Sequence, residues 1–148
     1  MAIRCKTSKA MLNEVFRKHQ QRCYEAVVRT LMYCGEQIVN KVRDGNKPKS
    51  YKDQTGNLRS STGYILSYNG KVISKSSFTS VLNGGKGSKE GEGFARRLAS
   101  QYDKGFVLIV VAGMEYAVYV EDKGYDVLMS GELLAEVIIP RMLNQLKF

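Results

Sequence analysis

Proline, cysteine and histidine are scarce in this chain, with two, three and one in 148 residues, and no long hydrophobic run is present. The longest apolar stretch, Phe106 to Met114, is nine residues, about half of what a membrane-spanning helix needs. Arg4, Lys6 and Lys9 stand where a secretory signal would carry its apolar segment, so the expectation is cytoplasmic synthesis and a soluble protein. With so little proline and an ordinary apolar content, neither a collagen-like nor a wholly disordered chain fits. Cys5, Cys23 and Cys34 are odd in number. On one helix Cys23 and Cys34 would stand about 16 Å apart, too far for a disulfide, so all three read as free thiols with a packing role. No Cys-x-x-Cys or His-x-x-x-His spacing occurs, which leaves a zinc site without ligands. His19 has no second ligand or nucleophile evident nearby and reads as a packed or partly solvated side chain.

What the chain has in excess is positive charge. Twenty-three Lys and Arg against fourteen Asp and Glu give +9, distributed as +8 over residues 1–60, +4 over 61–105 and −3 over 106–148. A basic front and an acidic back can meet a polyanion such as DNA at one end, or allow copies of the chain to associate head to tail. The basic residues form no recognisable base-reading motif, so any DNA contact is expected to be weak, non-specific and directed at phosphates. The length suits one domain, 1–148, with a single core.

Residues 9–44 contain no proline and one glycine, with apolar groups at three-and-four spacing from Met11 to Val42, which predicts a long helix with Ser8 as N-cap and Gly45 as its stop. At about 54 Å it either kinks near Gly35 or projects beyond the body. A polar loop follows over 45–57. Segments 62–68 and 71–78 flank Asn69-Gly70, the signature of a type I′ hairpin over 62–78. Residues 83–93 hold five glycines and read as a flexible Gly-rich loop, mobile and readily nicked by proteases until assembly. Neither Gly-x-x-x-x-Gly-Lys-Ser/Thr nor Gly-x-Gly-x-x-Gly is present there, which disfavours nucleotide binding. A short helix over 94–102 precedes strands across 106–121: Phe106 to Ala112 as a strand buried on both faces, then an alternating segment from Tyr116 to Glu121. An amphipathic C-terminal helix spans 131–146 and is kinked or divided by Pro140. The fold class is α+β, with long N-terminal and C-terminal helices packed on a small, mainly antiparallel sheet.

Chemistry finds little purchase. Glu121-Asp122-Lys123 with Asp103 resembles the carboxylate and Glu-x-Lys core of metal-dependent nucleases, in which two carboxylates hold Mg²⁺ and the lysine meets phosphate. Asp103 precedes its strand, however, and such a run ordinarily forms a solvated strand end or interface charges. The lone histidine and the absence of a Gly-x-Ser-x-Gly elbow disfavour a hydrolase triad. The reading is a non-enzyme with no catalytic residue, cofactor or metal.

Two segments carry a resemblance. Thr55-Gly56-Asn57-Leu58-Arg59-Ser60-Ser61, after the long helix, and Ala112-Gly113-Met114-Glu115-Tyr116-Ala117-Val118-Tyr119-Val120-Glu121, before the terminal helix, are sixty-two residues apart from Thr55 to Ala117. Their order, spacing and flanking helices resemble the tail-component, or tail-completion, family of tailed bacteriophages. The resemblance implies a structural subunit of the virion neck or tail, made in the bacterial host, that forms a hexameric ring on assembly, joins the tail tube to the head connector and contacts other neck and tail proteins. In isolation it can remain a monomer. The motif positions Thr55, Gly56, Leu58, Arg59, Tyr116, Ala117, Tyr119 and Glu121 become the interface candidates. Thr55 is expected to cap a short helical turn that carries Leu58 inward and leaves Arg59 free for a carboxylate or carbonyl. Tyr116, Tyr119 and Glu121 offer the amphipathic surface common at interfaces; Leu58 and Tyr116 read equally well as core.

Overall fold

A computed structural model describes residues 1–4 and 6–148; Cys5 lies outside the described residues. Eight elements follow in order: α1 (Lys9–Arg43), α2 (Asn57–Ser60), β1 (Thr62–Tyr68), β2 (Lys71–Lys75), α3 (Gly85–Ala99), β3 (Phe106–Ala112), α4 (Ala117–Asp122) and α5 (Met129–Asn144). The arrangement is α+β, with the long first helix and the last helix set against a three-stranded antiparallel sheet of order β2-β1-β3. No described helix is long and apolar enough to cross a membrane.

The period-two pattern of β1 decides the layering, because neighbouring side chains on a strand point to opposite faces. Tyr64 and Leu66 join Leu31 and Val39 of α1, with Leu108, Val110, Ile139 and Leu143 packed around them. On the opposite face Ile65 and Val111 meet Ala95, Ala99 and Phe78. Helices α1 and α5 therefore cover one face of the sheet and α3 the other. The hairpin turn has φ of 48° at Asn69 and 77° at Gly70, the two positive values that a type I′ turn demands.

Helix α1 begins where Ser8 Oγ accepts the Met11 N–H at 3.2 Å and ends at the Asp44 cap. It runs unbroken through Gly35. That glycine lets the helix lie directly on the Tyr64 ring, since a Cβ there would stand 2.9 Å from ring carbons. The helix instead projects: residues 9–22 are all exposed, and burial begins at Cys23. Tyr24 marks the root, edge-on to Tyr68 and tilted against Phe106 at centroid distances of 5.2 and 5.4 Å. Cys34 is buried, and burial raises its thiol pKa.

Several expectations need correction. Residues 83–93 are not a flexible loop; from Gly85 onward they are the first turns of α3, continuous with the helix expected to start at Phe94. Gly87, Gly91, Ala95 and Ala99 recur at intervals of four and are the buried residues of that helix. A Cβ on Gly87 would collide with the Asn57 carbonyl and one on Gly91 with the Ser61 carbonyl. The glycines serve close approach of a helix to backbone, not freedom of the chain.

The strands expected across 106–121 end at Ala112. Gly113 donates its N–H to the Ser61 carbonyl, and residues 117–122 form α4, whose inward positions Ala117 and Val120, with Met114 ahead of them, follow a spacing of three. The alternation of valine and tyrosine is incidental to that turn. The doubly buried strand is the central β1, and β3 is an edge strand with Phe106 to Val110 half-buried. The hairpin's second strand stops at Lys75, short of 78, and Ser76 Oγ then takes the Tyr64 N–H at 2.8 Å. Pro140 does not divide α5, which runs unbroken through it.

Candidate functional site

The two motif segments, distant in sequence, meet at one cleft. The loop before α2 and the turn before α4 form opposite walls of a concavity of about 710 Å³, lined by Tyr51, Asp53, Thr55, Leu58, Met114 and Tyr116 among others. Beneath it lies a small apolar cluster of Tyr51, Leu58, Ala112, Ala117 and Val127. Leu58 is therefore floor and Ala117 lies in the cluster under it; both are buried.

Asp53 builds the α2 wall. Its carboxylate accepts the Gly56 N–H at 2.9 Å through Oδ1 and the Arg59 N–H at 2.8 Å through Oδ2, tying the loop to the free donors at the start of α2. The expected cap, Thr55, accepts only the Asn57 N–H at 3.3 Å, and Gly56 occupies the cap position itself. Gly56 has φ +77°, and a Cβ would strike the Val81 carbonyl, so both the conformation and the space require glycine. Arg59 turns back under the loop: Nη2 donates to Ser50 Oγ at 3.0 Å and to the Tyr51 carbonyl at 3.1 Å, with the guanidinium 5.1 Å from the Tyr51 ring centre.

Across the cleft Tyr116 faces Thr55: burial raises its phenol, the Asp53 charge adds to the rise, and the Thr55 hydroxyl opposes it. Tyr51 is more deeply set. Burial pushes its phenol up to about 12 against the pull of Arg59, and its hydroxyl has no partner within the protein. Lys52, Lys86 and Lys123 ring the mouth and take part in no ion pair among the described residues.

Glu121 and Tyr119 leave this group. Glu121 Oε1 accepts the Leu128 and Met129 N–H groups, each at 3.2 Å, where α5 has unpaired donors. Asp126 supports the same corner: its Oδ1 accepts the Ser130 N–H at 3.0 Å, and its Oδ2 lies 3.3 Å from Lys47 Nζ, which also donates to the Val42 carbonyl at 2.7 Å. Burial raises the Asp126 pKa, but the Ser130 N–H and the lysine outweigh it and leave the carboxyl below its usual range. Tyr119 projects into solvent, 69% exposed beside Val118.

The nuclease-like constellation does not assemble. Asp103 lies against the Asn69-Gly70 turn, before β3, and Glu121 follows the other end of that strand, whose seven residues span about 20 Å. Among the described residues no three His, Cys, Asp or Glu side chains are grouped as a metal site would need.

Sequence reading missed three features here. The Asp53 loop brace was signalled by an aspartate three residues before Gly56. The Lys47 bridge carried no signal, because its partner is almost eighty positions away. The third is a neighbour of His19: Cys23 Sγ stands 3.6 Å from His19 Nε2, a contact that spacing of four on a helix predicts. Compared with known proteins, the chain matches no family model, no curated protein and no solved structure.

Proposed function

We propose that this protein is a structural assembly subunit of the tail-completion type, placed at the neck of a tailed bacteriophage and built into a ring between connector and tail tube. The observation that carries the reading is the amount of ordered apolar surface left uncovered on regular helices. Met11, Leu12, Val15 and Phe16 on α1 are 45–63% exposed, and Met129, Leu133 and Val137 on α5 are 56–65% exposed. Contiguous apolar surface of this kind marks sites of association.

The motif residues support the same reading through what they do. Gly56 and Arg59, held by Asp53 just ahead of the motif, and Glu121 spend their polar groups on shaping loops and capping helices, which fixes the outline of a surface. No nucleophile, base and orienting group are assembled among them. The mouth of the cleft, with its three lysines and its tyrosines, suits an acidic segment of a neighbouring protein.

The test is localisation. Particles from a host carrying this gene, with the chain tagged, should show the label by electron microscopy as a ring at the junction of head and tail. Particles that contain no copy of the chain, or carry it elsewhere, would overturn the neck assignment.

A further inference from the structure

Two surfaces of the chain remain unpartnered, and they differ in charge. The first is the arm of α1, residues 9–22, in which every side chain is exposed. Successive residues turn by 100° on a helix, so Met11, Val15, Leu12 and Phe16 fall on one stripe. Lys18 borders one side of it and Lys9 the other, and Arg22 continues the stripe on the Lys18 side nearer the body. That stripe is rotated by roughly a third of a turn from the face by which residues 31–42 meet the body, so it faces away from the molecule's own core. Residues 9–22 contain Lys9, Arg17, Lys18 and Arg22 against the single acid Glu14, which meets Lys18 at 2.7 Å in an exposed pair that a partner carboxylate can replace.

The second surface is on α5. This helix is apolar nearly all round, a pattern that belongs to a helix covered on both sides. One side is covered: Ile139 and Leu143 pack into the cluster with Leu31 and Tyr64, and Gly131 lies against Val42 and Ile38, so α5 runs antiparallel to α1. The other side carries Met129, Leu133 and Val137 in the open, bordered by exposed Glu132 and Glu136. The fourteen-residue arm is about 21 Å long and the exposed apolar face of α5, from Met129 to Val137, about 12 Å, so the arm is long enough to cover that face.

Building on the assembly reading above, we infer that the arm of one copy lies along the exposed face of α5 in a second copy, apolar stripe on apolar stripe, with Lys18 and Arg22 facing Glu132 and Glu136. Both charged pairs are spaced four residues apart, which places each pair on one helix face at a common separation. The contact joins two different patches of the same chain, so repetition generates a closed ring or a filament. Exposed ion pairs contribute about 0–1 kcal/mol each; the apolar stripes carry the affinity and the charges set register and partner.

The experiment mixes unlabelled and ¹⁵N-labelled full-length chain at high concentration, couples amines to contacting carboxylates with a zero-length carbodiimide reagent, and reads mixed-isotope peptides by mass spectrometry. Couplings between copies should join Lys18 to Glu132 or Glu136. Couplings between copies only at other positions would overturn the arm and α5 contact while leaving self-assembly standing, and no coupling between copies at any concentration would overturn self-association. A charge exchange sharpens the result. Lys18→Glu with Arg22→Glu, and separately Glu132→Lys with Glu136→Lys, should each weaken association about tenfold or more, and combining all four should restore most of it. Failure of the combination to restore association overturns the register. All four positions are exposed, and a thermal melt of each variant confirms the fold. The particle localisation is independent: a chain that couples as expected but is absent from particles loses the neck assignment and keeps the contact.

Discussion

Helix α1 is one continuous helix with two fates. From Leu31 to Val42 its inward face is sealed against Tyr64, Leu66 and α5, while from Lys9 to Arg22 nothing covers it. Both halves have apolar residues at helical spacing, so periodicity alone did not decide which would be buried. The neighbours did: the body half faces a sheet and a second helix, and the arm extends past the hairpin end where Tyr24, Tyr68 and Phe106 meet. Amphipathicity records that a helix is to be covered, not whether the cover belongs to the same molecule.

Substitutions should separate the sealed region from the open one. The largest effect is expected on the α3 side of the body. Gly91→Leu forces a side chain into the Ser61 backbone and should cost about 4 kcal/mol or more, visible as loss of the cooperative unfolding transition. Ile38→Ala, at a residue 2% exposed, should destabilise by about 3 kcal/mol in urea, whereas Val15→Ala on the arm should stay within about 0.5 kcal/mol. Equal losses at the two positions would mean that the arm is covered in the isolated chain.

An alkaline titration probes a buried group of the body. The Tyr51 pKa of about 12 in the folded chain exceeds the value near 10 of an unfolded tyrosine. The stability tied to its neutral phenol is therefore complete below pH 10 and is lost as the pH rises toward 12, by about 2 kcal/mol. Tyr51→Phe should flatten that alkaline loss, measured as melting temperature between pH 9 and 12, though Tyr64 and Tyr116, also raised, retain part of it. At neutral pH the same substitution should be neutral or stabilising by about 1 kcal/mol, since it removes a buried hydroxyl that has no partner. The smallest effect belongs to the arm. Phe16→Ser should leave this pH profile unchanged and register only in association measurements.

The class of the fold, the long helix, the hairpin with its turn and the final helix were legible because each depends on local chemistry: a cap, a period, a pair of turn residues. The glycine segment was misread because composition was weighed without spacing. Five glycines suggest a mobile chain, but Gly87, Gly91, Ala95 and Ala99 at intervals of four form the smooth side of a helix that backbone can approach. The valine and tyrosine alternation after Gly113 was misread in the opposite way, with period two favoured where Met114, Ala117 and Val120 held period three. Of the cleft, the two motif segments were visible as strings, but not that Thr55 and Tyr116 would face each other. Lys47 with Asp126 lay beyond reach, because a contact between residues so far apart leaves no trace in either neighbourhood.

The aromatic joint at Tyr24 has a mechanical consequence. Beyond it the arm is a cantilever about 21 Å long, held at the root by three rings whose centroids lie 4.5–5.4 Å apart. A tilt of about 5° at that root carries the free end through about 2 Å, roughly half a side-chain diameter. The aromatic contact at the root therefore adds to the packing of the body half in setting the angular tolerance of everything the lever carries, and softening it, as by Tyr24→Leu, would blur the position of the tip while leaving the helix itself intact.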